Sequence, residues 1–574
     1  PGAREEDYSY RWRLLLVTML LAMTVLIGRA VYLQVLDRQF LKQQGDMRHV
    51  DVLPVPSHRG RIIDRNGELL AISTPVQSLW INPREFREAD VSPAKLQAMA
   101  DLVGMPLGEI YKRVGANDNR VFSYLKRRMS PELADQVIAL DIPGVYSERE
   151  YRRYYPGGEV SAHLLGFTSI DDSGQEGMEL AYNDWLRGSE GAKRIMRDGR
   201  RRIIEDLENI KPPVPGKDLT LSIDQRLQYL AYRELKKAVI QHQAKSGSLA
   251  LLDTHTGEVL ALVNQPSYNP NGSAKPKGSA SRNRAITDIY EPGSTVKPFV
   301  VACALELGLF RADTIVDTTP GSLRVGQNLV KDVHNYGVLD VAHVLQKSSN
   351  VGVTKIALNV PARKLWAFFN NLGFGQPLET SFPGEANGRL PDYHGWDAFE
   401  QATLSFGYGM STSTLQLARS YLSIANDGVL PMVGIIKRDG SEATETHSIM
   451  SARTAVSVRT MLEQVVTREG TALKASIPGF RVAGKTGTVK KSSGSGGYAE
   501  SLYLSVFAGM APASKPRLVM VVMIDEPSAG EYYGGAVAAP VFSSVMEGAL
   551  RQLNIAPDQN ETAPLFAAEQ DDSA

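Results

Sequence analysis

The apolar run from Leu14 to Leu36 constrains this chain more than any other feature of the sequence. LLLVTMLLAMTVLIG contains no charge, and after Arg29 the apolar character resumes as AVYLQVL. At 1.5 Å per residue, a helix of this length spans a hydrocarbon core of ~30 Å. Arg29 would lie near one membrane surface, which its long side chain can reach. We therefore predict a transmembrane anchor over residues 14–36.

A cleaved signal peptide is the alternative, because Gly28 and Ala30 are small residues spaced as at a cleavage site. The apolar run is long for a signal core and continues past that site, which favours an uncleaved anchor. Arg4, Arg11 and Arg13 favour a cytoplasmic N-terminus. The remaining chain then lies in the periplasm, or outside the cell. The chain begins with proline, as expected of a processed or engineered start.

Charge and cysteine content exclude several classes of partner and cofactor. The 63 Lys and Arg balance 63 Asp and Glu, so no basic excess indicates a nucleic-acid partner. The single cysteine, Cys303, excludes an internal disulfide, and its apolar neighbours predict an inert core thiol. Nine scattered histidines show no ligand spacing, so we predict neither a metal nor another cofactor.

Breaks in the pattern predict two folded domains beyond the membrane. The proline-rich stretch KPPVPGKD marks the boundary between them. In the first domain, the turn at Asp64–Gly67 predicts a hairpin, and the pattern from about Val91 to Asp141 is helical. The predicted segments are an N-terminus (1–13), anchor (14–36), linker (37–56), first domain (57–218), second domain (219–556) and disordered acidic tail (557–574).

The second domain is predicted to be an α+β fold. Asp224 caps an amphipathic helix, and the chain ends in the helical pattern APVFSSVMEGALRQLN. Five segments have strand character: SLALLD, EVLALVN, FRVAGKTGT, YLSVFAGMAP and RLVMVVMID. They bracket a mostly helical middle. The simplest architecture is a five-stranded antiparallel sheet covered by the terminal helices, with an α-helical lobe and a cleft between sheet and lobe.

Three short motifs occur in an order that gives this cleft a chemistry. They are Ser294-x-x-Lys297 at a helix start, Ser348-Ser349-Asn350 in a loop, and Lys485-Thr486-Gly487-Thr488 on an edge strand. The first places a hydroxyl and an amine one helical turn apart, as a nucleophile and its base. Each motif alone is weak. Together they are the signature of penicillin-binding proteins and class A β-lactamases, although Ser349 replaces the aspartate of the β-lactamase form.

Further stretches resemble the class B penicillin-binding proteins over nearly the whole chain, most of all the division-specific type of Gram-negative bacteria. They include RGRIIDRNG, YYPGGEVSAHLLGF, TGEVLALVNQPSYNPN, LSFGYG and EYYGGAVAAPVF. The resemblance implies an inner-membrane D,D-transpeptidase of septal peptidoglycan, with a non-catalytic, dimerisation-type pedestal before the penicillin-binding domain. It also implies D-Ala-D-Ala stem peptides as substrates and β-lactams as covalent inhibitors. A polytopic glycosyltransferase and other division proteins are the implied partners.

The residue chemistry assigns roles within the trio. Ser294 needs a proton acceptor, which Lys297 provides if burial and the charge of Lys485 keep its amine neutral. Ser348 can relay a proton to the leaving amine, and Asn350 offers its amide to Lys297 and the substrate.

The substrate-binding residues follow in part from the resemblance. Lys485, Thr486 and Thr488 are placed to bind the substrate carboxylate, and Gly487 permits close approach of the backbone. By resemblance, the N–H groups of Ser294 and Thr488 form an oxyanion hole. Family positions that line the substrate groove are Val333, Tyr408, Tyr532 and Tyr533. These tyrosines are otherwise ordinary loop aromatics, and SSGSGG at 492–497 is either a mobile flap or an inert hairpin loop.

Two other functions remain open from sequence. A D,D-carboxypeptidase or β-lactamase would need efficient deacylation by water, but no E-x-x-L-N motif follows Asn350. A non-catalytic sensor is expected to carry several membrane spans and a cytoplasmic output domain. A division scaffold is compatible with catalysis, because the pedestal and anchor have no chemistry of their own.

Overall fold

The computed structural model describes residues 9–41, 50–115, 120–197, 203–272, 278–439, 445–492 and 497–559. Parts of the predicted linker and tail, and residues 493–496 of the predicted flap, lie outside these ranges. The described chain forms two compact units. The described residues within 1–58, 75–150 and 188–216 form one unit, and those within 59–74, 151–187 and 217–574 form the other.

The first unit contains the N-terminal helix, Ser9–Val31, which continues as a π-helical segment over Tyr32–Leu36. Within the described ranges, one helix, Tyr10–Leu36, is long and apolar enough to cross a membrane, with a mean hydropathy of 2.3. The most apolar stretch of this helix is not buried against the rest of the described protein. A membrane anchor and a signal sequence both have such a helix near the N-terminus, so the anchor stays a prediction.

The rest of the first unit is mixed α and β. Val50–Val55, Gly191–Arg197 and Ile203–Lys211 form an antiparallel three-stranded sheet. Its helices are Pro83–Glu88, Pro93–Val103, Leu107–Val114 and Pro131–Ile138. Ser92 caps one of them by accepting a hydrogen bond from Lys95 N, and Gly104 ends it at φ +65°.

The predicted helical stretch of this unit is wrong in its middle. Residues Ser123–Met129 form a strand that pairs with the end of the long strand Leu69–Ile81. Trp80 is opposite Tyr124 across the two strands, and its ring also contacts the rings of Phe122 and Tyr146. Cross-strand packing therefore outweighs the local helical pattern.

The second unit begins with the predicted hairpin, which is confirmed. Ile62–Ile63 pairs with the start of Leu69–Ile81, and Asp64 Oδ1 accepts from the N–H groups of Asn66 and Glu68 inside the turn. Leu219–Thr220 adds a parallel neighbour. The helices Ala162–Leu165, Gly177–Ala181 and Asn183–Arg187 follow the strand Val145–Tyr154 in the chain.

The large sheet of the second unit has five antiparallel strands, as predicted. They are β1 (Ser246–Asp253), β2 (Val259–Gln265), β3 (Ala483–Ser492), β4 (Tyr498–Ala511) and β5 (Leu518–Asp525), in the spatial order β2-β1-β5-β4-β3. The order leaves β3 at one edge. β2 and nearly all of β1 and β5 are buried on both faces, which explains why apolar residues dominate their sequences.

Helices cover both faces of this sheet. The Asp224-capped helix, Gln225–Gln241, packs against Gly247, where a Cβ would lie 3.0 Å from Val239 Cγ2. The next residue, Ser248, points to the other face and hydrogen-bonds Thr414 at 2.7 Å. The final helix, Ala539–Gln552, packs beside Gln225–Gln241. The predicted α+β fold of a sheet between helical layers is confirmed.

The middle of the second unit supplies the helical lobe. The helices used below are α1 (Lys297–Glu306), α2 (Val341–Lys347), α3 (Asn350–Leu358) and α4 (Thr414–Ala425). The other helices are Arg284–Thr287, Ala362–Asn371, Ala398–Ser405, Ala452–Val465 and Gly534–Val537. Three short antiparallel pairs join them: Ile315–Asp317 with Val338–Asp340, Ser322–Val325 with Asn328–Lys331, and Val429–Pro431 with Thr446–Ser448.

Candidate active site

Ser294 lies in a 3₁₀ turn, Gly293–Val296, that leads directly into α1. The backbone N–H of Lys297 donates to the carbonyl of Ser294, so the two side chains stand three residues apart on one face of a tight turn. Ser294 is half-buried, and its hydroxyl has no hydrogen-bond partner in the part of the chain that the structure describes. The hydroxyl is therefore available to a ligand.

Glycines hold this turn in place from two sides. Gly293 has φ +56°, and a Cβ there would lie 2.4 Å from Val489 Cγ2 on β3. Gly407 of LSFGYG is so close that its Cβ would lie 2.2 Å from Gly293 O. On the inner side, the Tyr421 hydroxyl of α4 donates to Thr295 O at 2.7 Å. The backbone around Ser294 is thus fixed by contacts that larger residues would prevent.

Lys297 points from α1 into the second motif. Its side chain is fully buried, and Nζ donates to Ser348 O at 2.5 Å and to Asn350 Oδ1 at 2.7 Å. A longer contact of 3.3 Å joins Nζ to Ser348 Oγ. Ser348 ends α2 with φ +60°, a left-handed conformation that turns its carbonyl toward the lysine.

Lys485 contacts the hydroxyl of Ser348 from the edge strand β3. It is fully buried on β3, and its Nζ donates to Ser348 Oγ at 2.8 Å and to Thr486 O at 3.3 Å. Ser348 Oγ therefore lies between two lysine nitrogens that are distant in sequence. This arrangement joins all three motifs at one serine.

Burial sets the charge of the lysine pair. It lowers the pKa of Lys297 well below its ordinary value, and the positive charge of Lys485 lowers it further, while Asp332 opposes the shift. Burial also lowers the pKa of Lys485 to about 7. Two buried ammonium groups that share one hydroxyl repel each other, so the pair readily loses a proton near neutral pH.

Asp332 is a site residue that the sequence analysis missed. Its Oδ1 accepts from the N–H groups of Asn350 at 2.5 Å and Val351 at 3.0 Å, at the positive end of α3. Its Oδ2 accepts from Ser349 Oγ at 2.6 Å, and Ser349 Oγ in turn caps α3 by accepting from Gly352 N. Asp332 thus fixes the helix end that carries Asn350. It immediately precedes Val333, but no periodic signal distinguishes it in the sequence.

The rest of the third motif holds the edge strand against neighbouring loops. Thr486 Oγ1 lies 2.9 Å from Thr471 Oγ1, and Thr488 Oγ1 accepts from Gly534 N at 3.0 Å. At Gly487, a Cβ would lie 3.0 Å from Thr295 Cγ2, which explains why β3 can lie directly against the Ser294 turn.

The predicted groove residues occupy different surroundings. Val333 is 73% exposed. Tyr408 makes ring contacts with Phe406 and Tyr498, and its hydroxyl accepts from Lys490 N at 3.4 Å. Tyr532 stacks on Tyr533 at 4.5 Å and on Tyr503 at 4.2 Å. Tyr503, which the sequence analysis did not single out, completes a stack of three rings. Its place within the β4 segment gave no sign that its ring would contact Tyr532.

Metal binding would require clustered ligand side chains, and thiol chemistry would require a reactive cysteine. In the described ranges, no group of three or more His, Cys, Asp or Glu side chains could hold a metal ion. Cys303 is buried on α1, and burial raises its pKa to about 12, so it is a poor nucleophile at neutral pH.

Comparisons with known proteins agree with this geometry. Residues 247–547 match a family model described as the penicillin-binding protein transpeptidase domain, and residues 54–221 match one described as the penicillin-binding protein dimerisation domain. The chain is 43% identical to peptidoglycan D,D-transpeptidase FtsI of Escherichia coli K12, over 97% of this chain and 94% of that protein. It is 42% identical to the probable peptidoglycan D,D-transpeptidase PbpC of Pseudomonas aeruginosa, over 98% of both chains.

Solved structures show the same similarity. The transpeptidase domain of penicillin-binding protein 3 from Burkholderia pseudomallei is 43% identical, with a TM-score of 0.55, and covers 59% of this chain and 98% of its own. Penicillin-binding protein 3 from Mycobacterium tuberculosis, solved with aztreonam, is 27% identical with a TM-score of 0.68. That match covers 89% of this chain and 98% of the mycobacterial one.

Proposed function

Because the chain belongs to the class B penicillin-binding proteins and is a peptidoglycan D,D-transpeptidase, we propose that Ser294 carries the acyl group of the donor peptide. The observation that supports this role best is the position of the Ser348 hydroxyl between Nζ of Lys297 and Nζ of Lys485. A nucleophile, a base and a proton relay then meet beside one fixed turn.

The hydrogen bonds of Lys297 favour it as the base. A neutral amine has two N–H donors and one lone pair. The two shortest contacts of Nζ go to Ser348 O and Asn350 Oδ1, which act as acceptors in these contacts. With both donors occupied, the lone pair remains for the proton of a hydroxyl. Burial and the charge of Lys485 lower the pKa of Lys297, which favours this neutral form.

Acylation then proceeds by addition and elimination. Ser294 Oγ attacks the carbonyl carbon of the penultimate D-Ala while its proton passes to Lys297. The C–N bond to the terminal D-Ala breaks as Ser348 gives its hydroxyl proton to the leaving amine, and the proton held on Lys297 passes to Ser348 Oγ. Transfer to an acceptor amine reverses this sequence: a new C–N bond forms, the ester C–O bond breaks, and Ser294 regains a proton.

The substrate is positioned by charge and by backbone donors. Lys485 provides a positive charge for the terminal carboxylate, and the hydroxyls of Thr486 and Thr488 lie on the same strand. The N–H groups of Ser294 and Thr488 are proposed as the oxyanion hole, a contribution of about 3 kcal/mol for each donor. Val333, Tyr408, Tyr532 and Tyr533 are proposed to line the groove.

We assign the protein to septal cell-wall synthesis because its relatives include FtsI proteins. The proposed partners are a polytopic glycosyltransferase that supplies glycan strands, and other division proteins. β-Lactams bind the transpeptidase domain.

The proposed division of the chain is a pedestal over 57–218 and a penicillin-binding domain over 219–556, with 1–13, 37–56 and 557–574 as N-terminus, linker and tail.

The proposed location is the inner membrane, with one span over 14–36, a cytoplasmic N-terminus and a periplasmic catalytic domain. Arg11 and Arg13, at the start of the helix and before its apolar run, support this orientation. We expect the protein to stay in the membrane fraction with its N-terminal segment intact. A soluble form that begins close to Val31 would show instead that the helix is a cleaved signal.

Cross-linking of defined peptidoglycan tests the function directly. Glycan strands with pentapeptide stems should yield cross-linked dimers, with one D-Ala released per cross-link, as measured by liquid chromatography and mass spectrometry. Benzylpenicillin should prevent dimer formation. Tetrapeptides without dimers would identify a carboxypeptidase, and a penicillin adduct on a protein that forms neither product, with its partners present, would identify a sensor or scaffold.

A further inference from the structure

A polar cleft in the second unit is lined by an arginine that has no partner among the described residues. The cleft has a volume of about 630 Å³ and lies between the end of the helix Ala362–Asn371, the loop that follows, and the strand Thr446–Ser448. Arg419 of α4 lines it. In the described part of the chain, the Arg419 guanidinium makes neither a hydrogen bond nor an ion pair within contact distance.

Two other arginines of the second unit have hydrogen-bond partners. Arg459 donates to Ile424 O at 3.0 Å and to Asp427 Oδ1 at 2.9 Å. Arg438 donates to Thr256 O and Met432 O. By contrast, Arg419 Nε is sealed from solvent with no acceptor. Arg419 is partly buried, and Nε is the nitrogen that is sealed, so the other guanidinium nitrogens can still donate to an anion in the cleft.

The loop that follows the helix Ala362–Asn371 lies beside the Arg419 guanidinium without accepting a hydrogen bond from it. Gly373 provides the space, because a Cβ there would lie 2.6 Å from Arg419 Nη1. Gln416, one turn earlier on α4, holds the loop by donating to Gly373 O and Gln376 O. The loop carbonyls are therefore occupied by Gln416, and Arg419 is not needed to hold the loop.

Nearby acidic groups do not neutralise Arg419 by contact. Glu379 and Glu385 raise its pKa through space, whereas burial lowers it more strongly. Both Glu385 oxygens accept backbone N–H groups of Leu378, Glu379 and Thr380, so this carboxylate is committed to its own loop. Glu379 is exposed at the rim of the cleft.

We propose that this cleft binds a carboxylate that also carries an ammonium group, with the carboxylate on Arg419 and the ammonium facing Glu379. A planar guanidinium matches a carboxylate in two parallel hydrogen bonds. Glu379 and Glu445 on the lining disfavour a doubly charged phosphate. Free D-alanine and an amine-bearing stem peptide both have the required chemistry, and this choice of ligand rests on the proposed function.

The site is separate from the Ser294 site but shares a helix with it. Arg419 and Tyr421 are two residues apart on α4, and the Tyr421 hydroxyl bonds the Ser294 turn at Thr295 O. A product or a neighbouring stem peptide bound at Arg419 would therefore contact the helix that supports the nucleophile. D-Alanine and the stem peptide are distinguished below by direct titration.

The test is ligand binding to full-length protein in detergent, with Ser294 first acylated by benzylpenicillin to block the catalytic cleft. D-Alanine, the tripeptide L-Ala-γ-D-Glu-L-Lys and inorganic phosphate are titrated separately, and binding is measured by calorimetry and by the rise in Tm. We expect saturable binding of D-alanine or the tripeptide. Arg419→Gln should weaken it about tenfold or more, because a charged pair of hydrogen bonds is lost.

Three variants control this result. Arg453→Gln removes an exposed arginine outside the cleft and should leave binding unchanged. Arg419→Lys keeps the positive charge but loses the planar guanidinium that donates two parallel hydrogen bonds, so it should also weaken binding. This variant tests the proposal even if Arg419→Gln fails to fold. Glu379→Gln should weaken binding by removing the carboxylate that faces the ammonium.

Several outcomes would overturn the proposal: no saturable binding, equal binding to wild type and Arg419→Gln, or tighter binding of phosphate than of both ammonium carboxylates. If benzylpenicillin forms no adduct at Ser294, the proposed function fails instead. The titrations then proceed on the unmodified protein and still decide the question of the cleft.

Discussion

Replacing Ser294 with alanine is expected to abolish covalent labelling by benzylpenicillin. Only a half-buried hydroxyl without a hydrogen-bond partner in the described structure is removed, so the fold should be unaffected. The expected loss of acylation rate is on the order of a million-fold, as for removal of the serine nucleophile of a hydrolase. Intact-mass measurement should show one adduct per wild-type chain and none in Ser294→Ala.

Ser514→Ala is the matched control for this variant. Ser514 is exposed between β4 and β5, and its backbone N–H, not its hydroxyl, bonds Asp558. It should label at the wild-type rate, and the Tm of both variants should match that of the wild type. An adduct that persists on Ser294→Ala, at whatever residue, would remove Ser294 from the mechanism.

The second large effect is expected from Lys297→Arg. Arginine keeps the positive charge but cannot lose its proton near pH 7, so it cannot accept the proton of Ser294. We expect acylation to fall by about 10²- to 10⁴-fold, the usual contribution of a general base. Acylation rates with a chromogenic β-lactam measure this loss.

Lys485→Arg is the comparison that separates charge from proton transfer. Because Lys485 is assigned a positive charge and not a base, Lys485→Arg should retain measurable acylation, while Lys485→Ala should lose far more. Both lysines are fully buried, so steric strain from arginine applies to both and is checked by Tm. If Lys297→Arg acylates as fast as Lys485→Arg, the two roles are assigned wrongly.

The pH profile of acylation provides a further readout for the same pair. At low drug concentration the rate reports the free enzyme. The rate should rise with pH as Lys297 loses its proton. It should fall again as Lys485 becomes neutral, since a pKa of about 7 leaves that lysine charged only at lower pH. In Lys485→Arg the alkaline fall should disappear, because arginine stays charged.

Local sequence patterns predicted the scaffold of the site well. The five strands of the large sheet follow from short apolar segments, and the Asp224 cap follows from a polar residue before an amphipathic helix. The first and third motifs lie at the predicted helix start and edge strand, whereas the second, predicted in a loop, joins α2 to α3 and has Asn350 inside α3. These features depend on residues that are neighbours in the chain, so periodicity and capping chemistry suffice to find them.

Features that depend on distant residues were not predictable in this way. The strand Ser123–Met129 has a local pattern that suggested helix, and it becomes a strand only because Leu69–Ile81 offers a pairing edge. Asp332 gives no signal until α3 brings its first N–H groups within 3.0 Å. Tyr503 gains its place in the aromatic stack from Tyr532, which lies on another segment.

The sequence by itself therefore determined the fold class, the candidate membrane helix and the identity of the three motifs, because each is written in residue types at short spacing. Only the tertiary structure decided that Ser348 Oγ lies between Lys297 and Lys485, which are brought to it across 51 and 137 positions of chain. The same holds for Arg419, whose guanidinium has no partner in the described ranges. Shared burial and charge depend on which distant side chains meet, and that is fixed by packing of the sheet and helices and not by local periodicity.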